Sequence, residues 1–326
     1  MGPGAPTVGL VRRVVCRSFG PLSGLDLVEE PDLVGGDDRV VVDVAAAGAN
    51  FVDALIVEGR YQMKPPLPFT PGMEVAGTVE ATGERVLALC WMGGYASQVI
   101  VPRAAIHQIP DGVTMGQAAT LIQSYATAQF ALTRRTTVRE GEWVAVLGAG
   151  GGVGLAMIDV ARSLGARVVA CASSAEKLAA AQALGADAVV AYEDDGVDLK
   201  SAIREATGGG ADVVVDPVGG DKAEAALRSL RWHGRYVVIG FASGEIPSLP
   251  VNQVLLNNRT IVGVDWGAWT VREPLANAEV VAEVLSMVAG GQLHPVEPIE
   301  YPLDDVVRCL DDLESRRLVG KAVLVP

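Results

Sequence analysis

The sequence is poor in cysteine, in histidine and in clustered positive charge. Its four cysteines lie far apart with no C-x-x-C pair, which excludes a small disulfide-stapled scaffold and favours a cytoplasmic protein with reduced thiols. The chain has 26 basic and 39 acidic residues, a net charge of −13, and no run of lysine or arginine. We therefore expect neither nucleic acid nor an anionic membrane surface as a partner.

Long hydrophobic runs are also missing. The longest uncharged stretch, 112–133, includes threonine, glutamine and serine side chains that a bilayer would reject, so no membrane span is predicted. The beginning of the sequence lacks a basic stretch followed by an apolar one, and no leader is expected. The 326 residues are half hydrophobic, with 38 glycines and 18 prolines, which is typical of a globular, turn-rich α/β protein of about two domains.

The middle of the chain alternates short β-branched runs with Ala- and Leu-rich segments. The predicted strands are 143–147, 168–172, 188–191, 212–216, 236–239 and 260–264. The predicted helices between them are 152–164, 175–184, 199–207 and 222–230. Strands and helices that alternate in this way build a doubly wound parallel sheet of the Rossmann type.

The segments on either side of this region have a different pattern. In the first part of the chain, strand-like runs such as 40–45 and 75–81 are separated by Gly, Pro and Asp, with almost no helical period. This pattern indicates a mainly β module. The last part of the chain is predicted to form two helices and a final strand, at 274–289, 304–315 and 322–325.

We expect this last part to return to the first module. Residues 1–122 and 265–326 would then form one discontinuous catalytic domain. Residues 123–264 would form an inserted dinucleotide-binding domain. An active site in the cleft between the two domains is the expected arrangement.

A glycine-rich loop follows the first strand of the parallel sheet. Residues 148–154 read Gly-Ala-Gly-Gly-Gly-Val-Gly and precede an apolar helix. On the G-x-G-x-x-G template, Ala149 replaces the first glycine, while Gly151 and Gly154 match. A turn of this kind between strand and helix lets backbone amides approach a pyrophosphate; the alternative is a tight turn without a ligand. The cofactor-binding candidates in the loop are Ala149, Gly150, Gly151, Gly152, Val153 and Gly154.

The end of the second strand favours NADPH over NADH. A site for NADH carries an acidic residue there, which binds the ribose 2′-hydroxyl. This chain instead reads Ala-Cys-Ala-Ser-Ser-Ala-Glu-Lys from 170 to 177. Ser173 and Lys177 suit the binding and neutralisation of a 2′-phosphate. The alternative is that Ser173 or Ser174 caps the next helix and that Lys177 is a solvated charge.

Two motifs in the first module point to a known family. Asn-Phe-Val-Asp stands at 50–53 and Pro-Gly-Met-Glu at 71–74. With the glycine loop and Asp-Pro-Val-Gly-Gly at 216–220, they make nearly the whole chain resemble the quinone oxidoreductase, or zeta-crystallin-like, branch of the zinc-free medium-chain dehydrogenases/reductases. The resemblance implies a GroES-like, mainly β catalytic domain and a Rossmann nucleotide-binding domain.

The same motifs argue against a metal. Zinc-dependent relatives place a histidine just before the Glu of the second motif, where this chain has Met73, and a thioether is a poor ligand for Zn²⁺. Only Cys90 stands between 86 and 101, so the four-cysteine zinc lobe of those relatives is missing. The three histidines are far apart in sequence. We predict no metal site.

Single positions then acquire expected roles. The resemblance implies that Asn50 and Tyr61 line the catalytic cleft, while Asp53, Arg60 and Glu74 are interpreted as a charge network that holds the fold. The cofactor-binding candidates outside the glycine loop are Thr127, Ser173, Lys177, Tyr192, Asp216, Phe241, Ser243 and Arg316, with Lys321 a weaker one. Each of them has a structural alternative: a turn contact, a helix cap, core packing or a solvated surface charge.

The implied chemistry is hydride transfer from NADPH to a quinone. The Asn50 amide, the Tyr61 hydroxyl or a backbone N–H would stabilise negative charge on the acceptor oxygen, and Tyr61 or water would deliver a proton. An NADPH-dependent reductase of enoyl or alkenal double bonds has the same motifs, and a non-catalytic NADPH-binding protein with a structural or regulatory role is the alternative outside enzymes. The resemblance also implies a homodimer, which pairing of the sixth strand with a second copy at the sheet edge would form.

Overall fold

The computed structural model describes residues 10–193 and 196–326. Its strands are β1 (Leu10–Cys16), β2 (Leu25–Pro31), β3 (Arg39–Ala49), β4 (Glu74–Val79), β5 (Arg85–Leu89), β6 (Gln98–Pro102), β7 (Ile106–Gln108), β8 (Trp143–Leu147), β9 (Arg167–Ala172), β10 (Ala188–Ala191), β11 (Ala211–Asp216), β12 (Leu230–Val238), β13 (Thr260–Gly263), β14 (Ile299–Pro302) and β15 (Ala322–Val325). Its α-helices are α1 (Phe51–Val57), α2 (Met115–Ala119), α3 (Thr127–Gln129), α4 (Gly152–Ser163), α5 (Ala175–Ala183), α6 (Leu199–Ala206), α7 (Lys222–Ser229), α8 (Val251–Leu255), α9 (Trp266–Arg272), α10 (Pro274–Ala289) and α11 (Val306–Glu314). Within these described ranges, no helix is both long and apolar enough to cross a membrane.

The elements form two units. One unit ends at Gln123 and resumes at Val296, and the other spans Ser124–Pro295. The first is mainly β: its sheet has the order β14-β15-β3-β4-β5-β7, and β6 also pairs with β3. Apolar side chains on these strands share one core, in which Val42, Val75 and Val101 are at most 1% exposed. This is the GroES-like architecture that the family resemblance implied.

The C-terminal segment returns to the first unit through β14, α11 and β15. β15 pairs antiparallel with β3, and Ala322 lies opposite Ala49. β14 pairs in parallel with β15, and α11 packs against α1. The register brings Lys321 and Asn50, which flank the Ala322–Ala49 pair, to the same end of the two strands.

The second unit is a doubly wound α/β domain. Its six strands are all parallel, in the order β10-β9-β8-β11-β12-β13, so the chain begins in the middle of the sheet and winds to each edge in turn. β8 is buried along its whole length, as expected for a parallel strand covered on both faces. The strand order and direction confirm the Rossmann prediction.

One strand is longer than its pattern predicts. β12 begins at Leu230, directly after α7, whereas the apolar run predicted a strand only from 236. Residues 231–235 are Arg-Trp-His-Gly-Arg, so the first half of the strand contains no continuous apolar run that would predict it. The pairing of β12 with β11 also shifts in register between Ala211 and Val213.

The boundary of the C-terminal return differs from the expected position at 265, because 265–295 lies in the second unit. Trp269 of α9 stacks on Phe130 with ring centroids 4.2 Å apart. Glu283 of α10 forms an ion pair with Arg134. These contacts join α9 and α10 to the segment that opens the second unit.

Candidate functional site

A tight turn joins β8 to α4 and contains the glycine motif. Gly148 has φ +58°, and the Gly151 amide donates to the Gly148 carbonyl at 3.0 Å. A Cβ on Gly154 would lie 2.3 Å from the Gly148 carbonyl oxygen, so glycine is required there. α4 begins at Gly152, and the first amides of a helix have no acceptor within the helix, which is the arrangement that holds a pyrophosphate.

The other positions of the motif complete this turn. Ala149 is fully buried, and its amide donates to the Cys171 carbonyl at 3.1 Å, so the methyl group that replaces the first template glycine is accommodated in the core. Val153 is half-buried and Gly151 is exposed. A Cβ on Gly151 would meet only the Gly148 carbonyl oxygen, at 3.5 Å. The space beside Gly151 is therefore open to a ligand.

Ser173 and Lys177 lie together beside the turn. A Cβ on Gly150 would lie 2.4 Å from Cβ of Lys177, and the Lys177 ammonium donates to the Ser173 hydroxyl at 3.3 Å. The cap of α5 is Ser174, whose hydroxyl accepts the Lys177 amide. Ser173 is thus not the helix cap, and its hydroxyl shares the edge of the glycine turn with a lysine.

Asp216 ends β11 and holds the loop that follows it. Its carboxylate is buried and accepts the amides of Val218 at 2.8 Å and Gly219 at 2.9 Å, together with the Tyr236 hydroxyl. Burial and the nearby carboxylate raise the pKa of Tyr236, so its hydroxyl remains a donor. Val218 in turn lies 2.9 Å from the position of a Cβ on Gly148. The role that these contacts give Asp216 is to position the loop against the glycine turn.

The loop after β12 packs on the same surface. A Cβ on Gly219 would lie 2.9 Å from Cδ1 of Phe241, and one on Gly220 would lie 2.8 Å from the Ser243 hydroxyl oxygen. Phe241 is 38% exposed, so it is not a core residue. The loops that follow β8, β11 and β12 therefore meet at the carboxyl edge of the sheet, where open α/β domains bind their ligands.

Two further candidates lie in the second unit. Tyr192 follows β10, its amide donates to the Ala172 carbonyl at 3.2 Å, and the Lys222 ammonium lies 6.0 Å from the centre of its ring. Tyr192 therefore shares the end of β9 with the residues that follow Ala172. Thr127 begins α3 and is 9% exposed. α3 lies between two π-helical turns, Ile122–Ala126 and Phe130–Arg135, a rare conformation that is frequent at functional sites.

A second polar cluster lies in the first unit, at the carboxyl end of β3. Glu74 of β4 lies opposite Gly48 and is 1% exposed. Its Oε1 accepts from Nδ2 of Asn50 at 3.1 Å and from the Lys321 ammonium at 3.3 Å. A Cβ on Gly48 would lie 2.7 Å from Cγ of Glu74 and 2.2 Å from the Ala119 carbonyl oxygen. Glycine at 48 therefore leaves the room that the buried carboxylate needs.

Both the oxygen and the nitrogen of the Asn50 side-chain amide form hydrogen bonds within this cluster. Its Oδ1 accepts from the Lys321 ammonium, and its Nδ2 donates to Glu74 and, at 3.5 Å, to the Gly48 carbonyl. Lys321 is 7% exposed and lies here, although the sequence suggested it as a weak contact for cofactor phosphates. Asn50, considered as a donor to the acceptor oxygen, already donates its amide hydrogens within the cluster.

Asp53 and Tyr95 extend the cluster into the core. Oδ2 of Asp53 accepts the main-chain N–H of Asn50 at 2.9 Å and the Tyr95 hydroxyl at 2.8 Å, while its Oδ1 is buried without a hydrogen-bond partner. Burial raises the pKa of Asp53 to about 7, although the hydrogen bond from Tyr95 acts to lower it. These contacts support the interpretation of Asp53 and Glu74 as residues that hold the fold, which stays a prediction.

The raised pKa of Asp53 predicts a loss of stability as the pH rises toward neutrality. The unfolded chain releases this proton near pH 3.8 and the folded chain near 7, so the folded state binds more protons between those values and the free energy of unfolding falls across that window. Asp53→Asn should remove this component, which is at most about 1.4 kcal/mol per pH unit. Urea unfolding at about pH 5 and about pH 8 measures the difference.

Asp312→Asn is the matched control for Asp53, since the hydrogen bond from Arg317 lowers the pKa of Asp312. A lowered pKa stabilises the fold above the unfolded value, and this stabilisation is lost on acidification. Both test pH values lie above the unfolded pKa of Asp312, so Asp312→Asn should destabilise the protein by the same amount at each of them. An unchanged pH slope in Asp53→Asn would contradict the assignment of Asp53.

The remaining first-unit candidates lie at the surface or at its edge. Tyr61 is half-buried against the apolar core of this unit. Arg60 forms ion pairs with Glu58 and Glu314, so it belongs to a network separate from Asp53 and Glu74, against the expectation of one shared network. Arg316 is exposed just after α11, with φ +55°.

Met73 occupies the position where zinc-dependent relatives have a histidine. It is buried, and its Sδ accepts from the Gln123 side chain at 3.4 Å; the Gln123 amide donates to Oε2 of Glu74 at 2.9 Å. In the part of the chain that the structure describes, no group of three or more His, Cys, Asp or Glu is arranged to hold a metal ion. Sequence reasoning missed Gln123 and Tyr236, because their partners, Glu74 and Asp216, are distant in sequence and belong to no local motif with them.

Known proteins resemble this chain along nearly its whole length. Residues 152–285 match the family model "Zinc-binding dehydrogenase", and residues 36–111 match "Alcohol dehydrogenase GroES-like domain". The chain is 38% identical to quinone oxidoreductase-like protein 2 of Rattus norvegicus over 325 residues, which cover 96% of this chain and 91% of the rat protein.

Solved structures show the same similarity. The quinone oxidoreductase of Thermus thermophilus, described together with its complex with NADPH, is 35% identical, with a TM-score of 0.84 over 97% of this chain and 100% of its own. The quinone oxidoreductase of Escherichia coli complexed with NADPH is 28% identical, with a TM-score of 0.86 over 97% of this chain and 100% of its own. The similarity thus includes both units.

Proposed function

Because this chain belongs to the medium-chain dehydrogenase/reductase family, we propose that it is an NADPH-dependent oxidoreductase that reduces quinones. The observation that carries the cofactor assignment is the glycine turn, where Gly154 packs against main chain and the space beside Gly151 is open. The quinone assignment is supported by the relatives, which are described as quinone oxidoreductases. When bound, NADPH supplies a hydride from its nicotinamide ring.

The residues present fit this cofactor. The amino end of α4, beginning at Gly152, would hold the pyrophosphate. Ser173 and Lys177, which lie together at the edge of the glycine turn, would hold the 2′-phosphate, with Tyr192 nearby. The carboxyl end of β9 reads Cys-Ala before Ser173, so it offers no carboxylate that would repel that phosphate.

Reduction of a quinone requires less stabilisation of the product anion by protein residues than reduction of an enone does. A reduced quinone is stabilised by its aromatic ring, whereas an enolate requires a hydrogen-bond donor at its oxygen. Asn50 already donates to Glu74 and Gly48. We assign the hydrogen-bond donor role to Tyr61 or to a backbone N–H, and proton delivery to Tyr61 or water. Tyr61→Phe with an unchanged kcat would leave a backbone N–H as the donor and water as the proton source.

The rate of NADPH oxidation tests the proposal. A naphthoquinone and an unsaturated aldehyde are compared as acceptors, each with NADPH and with NADH. Faster turnover of the quinone with NADPH is expected. Turnover of the aldehyde alone would assign double-bond reduction instead, and tight NADPH binding without turnover of either would assign a non-catalytic role.

Lys177→Gln tests the site assigned to the 2′-phosphate. This change should weaken the use of NADPH by about tenfold. NADH lacks the 2′-phosphate and is the internal control, so turnover with NADH should be unaffected.

We also propose a homodimer that forms through β13, the strand at one edge of the parallel sheet. Ile261 on this edge is 39% exposed, and Val251 and Leu255 of the preceding helix α8 are each 76% exposed. An unpaired strand edge beside exposed apolar side chains favours pairing with a second copy.

Sedimentation should therefore give twice the chain mass of 33.9 kDa, and Leu255→Glu should produce monomers because it places a charge in the interface. Val34→Glu is the control, since Val34 is also exposed, at 85%, and lies in the first unit. A monomeric wild type, or a dimer that Leu255→Glu leaves intact, would contradict the proposal.

A cytoplasmic location is proposed on the basis of the cysteines. All four are unpaired. Burial raises the pKa of Cys171 and of Cys309 to about 12, so these thiols remain protonated and unreactive. A reducing compartment suits a protein with free thiols and no disulfide.

A further inference from the structure

A buried carboxylate in α4 accepts hydrogen bonds from residues beside both points where the chain passes between its two units. Asp159 is 3% exposed, and its Oδ2 accepts from the Tyr125 hydroxyl at 3.0 Å and from the His294 amide at 2.6 Å. Its Oδ1 lies 3.3 Å from Nδ1 of His294. The chain enters the second unit at Ser124 and leaves it after Pro295, so each partner of Asp159 is next to a crossing.

A carboxylate at this position is costly for stability. Asp159 lies in a helix whose neighbouring residues are buried and apolar, where desolvation of a charge is unfavourable and an apolar side chain of similar size would pack at lower cost. Burial and Asp159 raise the pKa of Tyr125, so this hydroxyl donates at any physiological pH. What the carboxylate provides, and an apolar side chain would not, is a fixed position for two separate chain segments.

The first crossing is also held from the other unit. The main-chain N–H of Gln123 donates to Oε2 of Glu74 at 2.9 Å, and the hydroxyl of Tyr125, two residues later, donates to Asp159. Oε1 of the same Glu74 accepts from Asn50 and from Lys321. One short π-helical segment, Ile122–Ala126, is therefore bound to two buried carboxylates, one in each unit.

We propose that Asp159 is a positioning residue that couples α4 to the Asn50–Glu74–Lys321 cluster through Tyr125 and Gln123. The inference rests on the proposed function, since the amino end of α4 is where that function places the pyrophosphate. Thr127 lies two residues beyond Tyr125, and we expect the same contact to position it. Loss of the contact should therefore impair turnover more than it impairs NADPH affinity.

Hydrogen exchange in the ligand-free protein tests the positioning without any substrate. Asp159→Asn should accelerate amide exchange in 122–127 and in 292–296, and Tyr125→Phe, the milder change, only in 122–127. Tyr301→Phe is the matched control: its hydroxyl donates to Asp312 at 2.9 Å, and both of these residues lie in the first unit and contact neither Tyr125 nor His294 through this hydrogen bond. Exchange that is unchanged in both segments, or that rises equally across the protein, would overturn the proposal.

Kinetics then test the coupling. Tyr125→Phe should lower kcat with a naphthoquinone by about tenfold while the Kd for NADPH changes by less than about threefold, and Tyr301→Phe should change neither. In the double variant with Lys321→Met, the combined loss of kcat should be smaller than the product of the single losses, because both changes act on one network. Independent losses would contradict the coupling.

The two proposals fail in different ways. A wild-type protein that binds no NADPH would overturn the proposed function, while the exchange experiment would still decide whether Asp159 holds the crossings. A wild-type protein that reduces quinones, with both variants behaving like Tyr301→Phe, would overturn the positioning role alone.

Discussion

Gly154→Ala should disrupt the glycine turn, whereas Gly151→Ala should leave the fold intact and weaken NADPH binding. The Cβ of an alanine at 154 would lie 2.3 Å from the Gly148 carbonyl oxygen and 2.9 Å from Cα of Ala149. Both atoms belong to the main chain, so no side-chain rotation relieves the clash, and β8 and α4 must separate. We expect the free energy of unfolding to fall by about 3 to 5 kcal/mol.

Gly151 is the matched control for this effect. An alanine there would have its Cβ 3.5 Å from the Gly148 carbonyl oxygen, an ordinary contact, and the backbone angles of φ −84° and ψ 164° suit any residue. The free energy of unfolding should change by less than about 1 kcal/mol. The new methyl group projects into the space assigned to the pyrophosphate, so the Kd for NADPH should rise by at least about tenfold.

Urea unfolding and titration with NADPH distinguish the two variants. The expected pattern is a large loss of stability in Gly154→Ala, and a loss of affinity without a loss of stability in Gly151→Ala. Normal NADPH affinity in a fully folded Gly151→Ala protein would mean that the pyrophosphate does not approach that amide. Wild-type stability in Gly154→Ala would contradict the tight packing of the turn.

Lys321→Met should be among the most destabilising single changes in the first unit. It would leave the carboxylate of Glu74, 1% exposed, without its cation and Oδ1 of Asn50 without its donor. Removing one partner of a buried ion pair costs about 3 to 5 kcal/mol, because the other charge remains buried. The kcat for a quinone should fall as well, since the cluster fixes Asn50, which caps α1, and Leu55 of α1 accepts the main-chain amide of Tyr61.

The carboxylate of Glu74, the other charge of this ion pair, allows the stability of a double variant to be compared with that of Lys321→Met. Adding Glu74→Gln to Lys321→Met removes the uncompensated carboxylate, so the double variant should be more stable than Lys321→Met alone. Arg17→Met is the control, because its ion pair with Asp26 is more than half exposed on both sides and should contribute less than about 1 kcal/mol. A Lys321→Met protein as stable as Arg17→Met would contradict the buried network.

Local sequence patterns predicted the second unit well. β8, β10 and α10 begin and end at the predicted residues, because each of these two strands is a short continuous apolar run and the helix has its own apolar period. β12 was predicted too short, since its polar first half contains no such run. The tail boundary at 265 was too early, because the ring contact between Phe130 and Trp269 leaves no local pattern in the sequence.

By itself, the sequence determined the fold class, the glycine turn and the neighbourhood of Ser173 and Lys177, all of which depend on residues close together along the chain. Only the tertiary structure decided that Lys321 lies at Asn50 and Glu74, that Gln123 and Tyr125 connect two buried carboxylates, and that Asp216 holds a loop. The position of Lys321 follows from the pairing of Ala322 with Ala49 and of Glu74 with Gly48. Such register between distant strands is set by the burial of whole apolar faces, and no short motif encodes it.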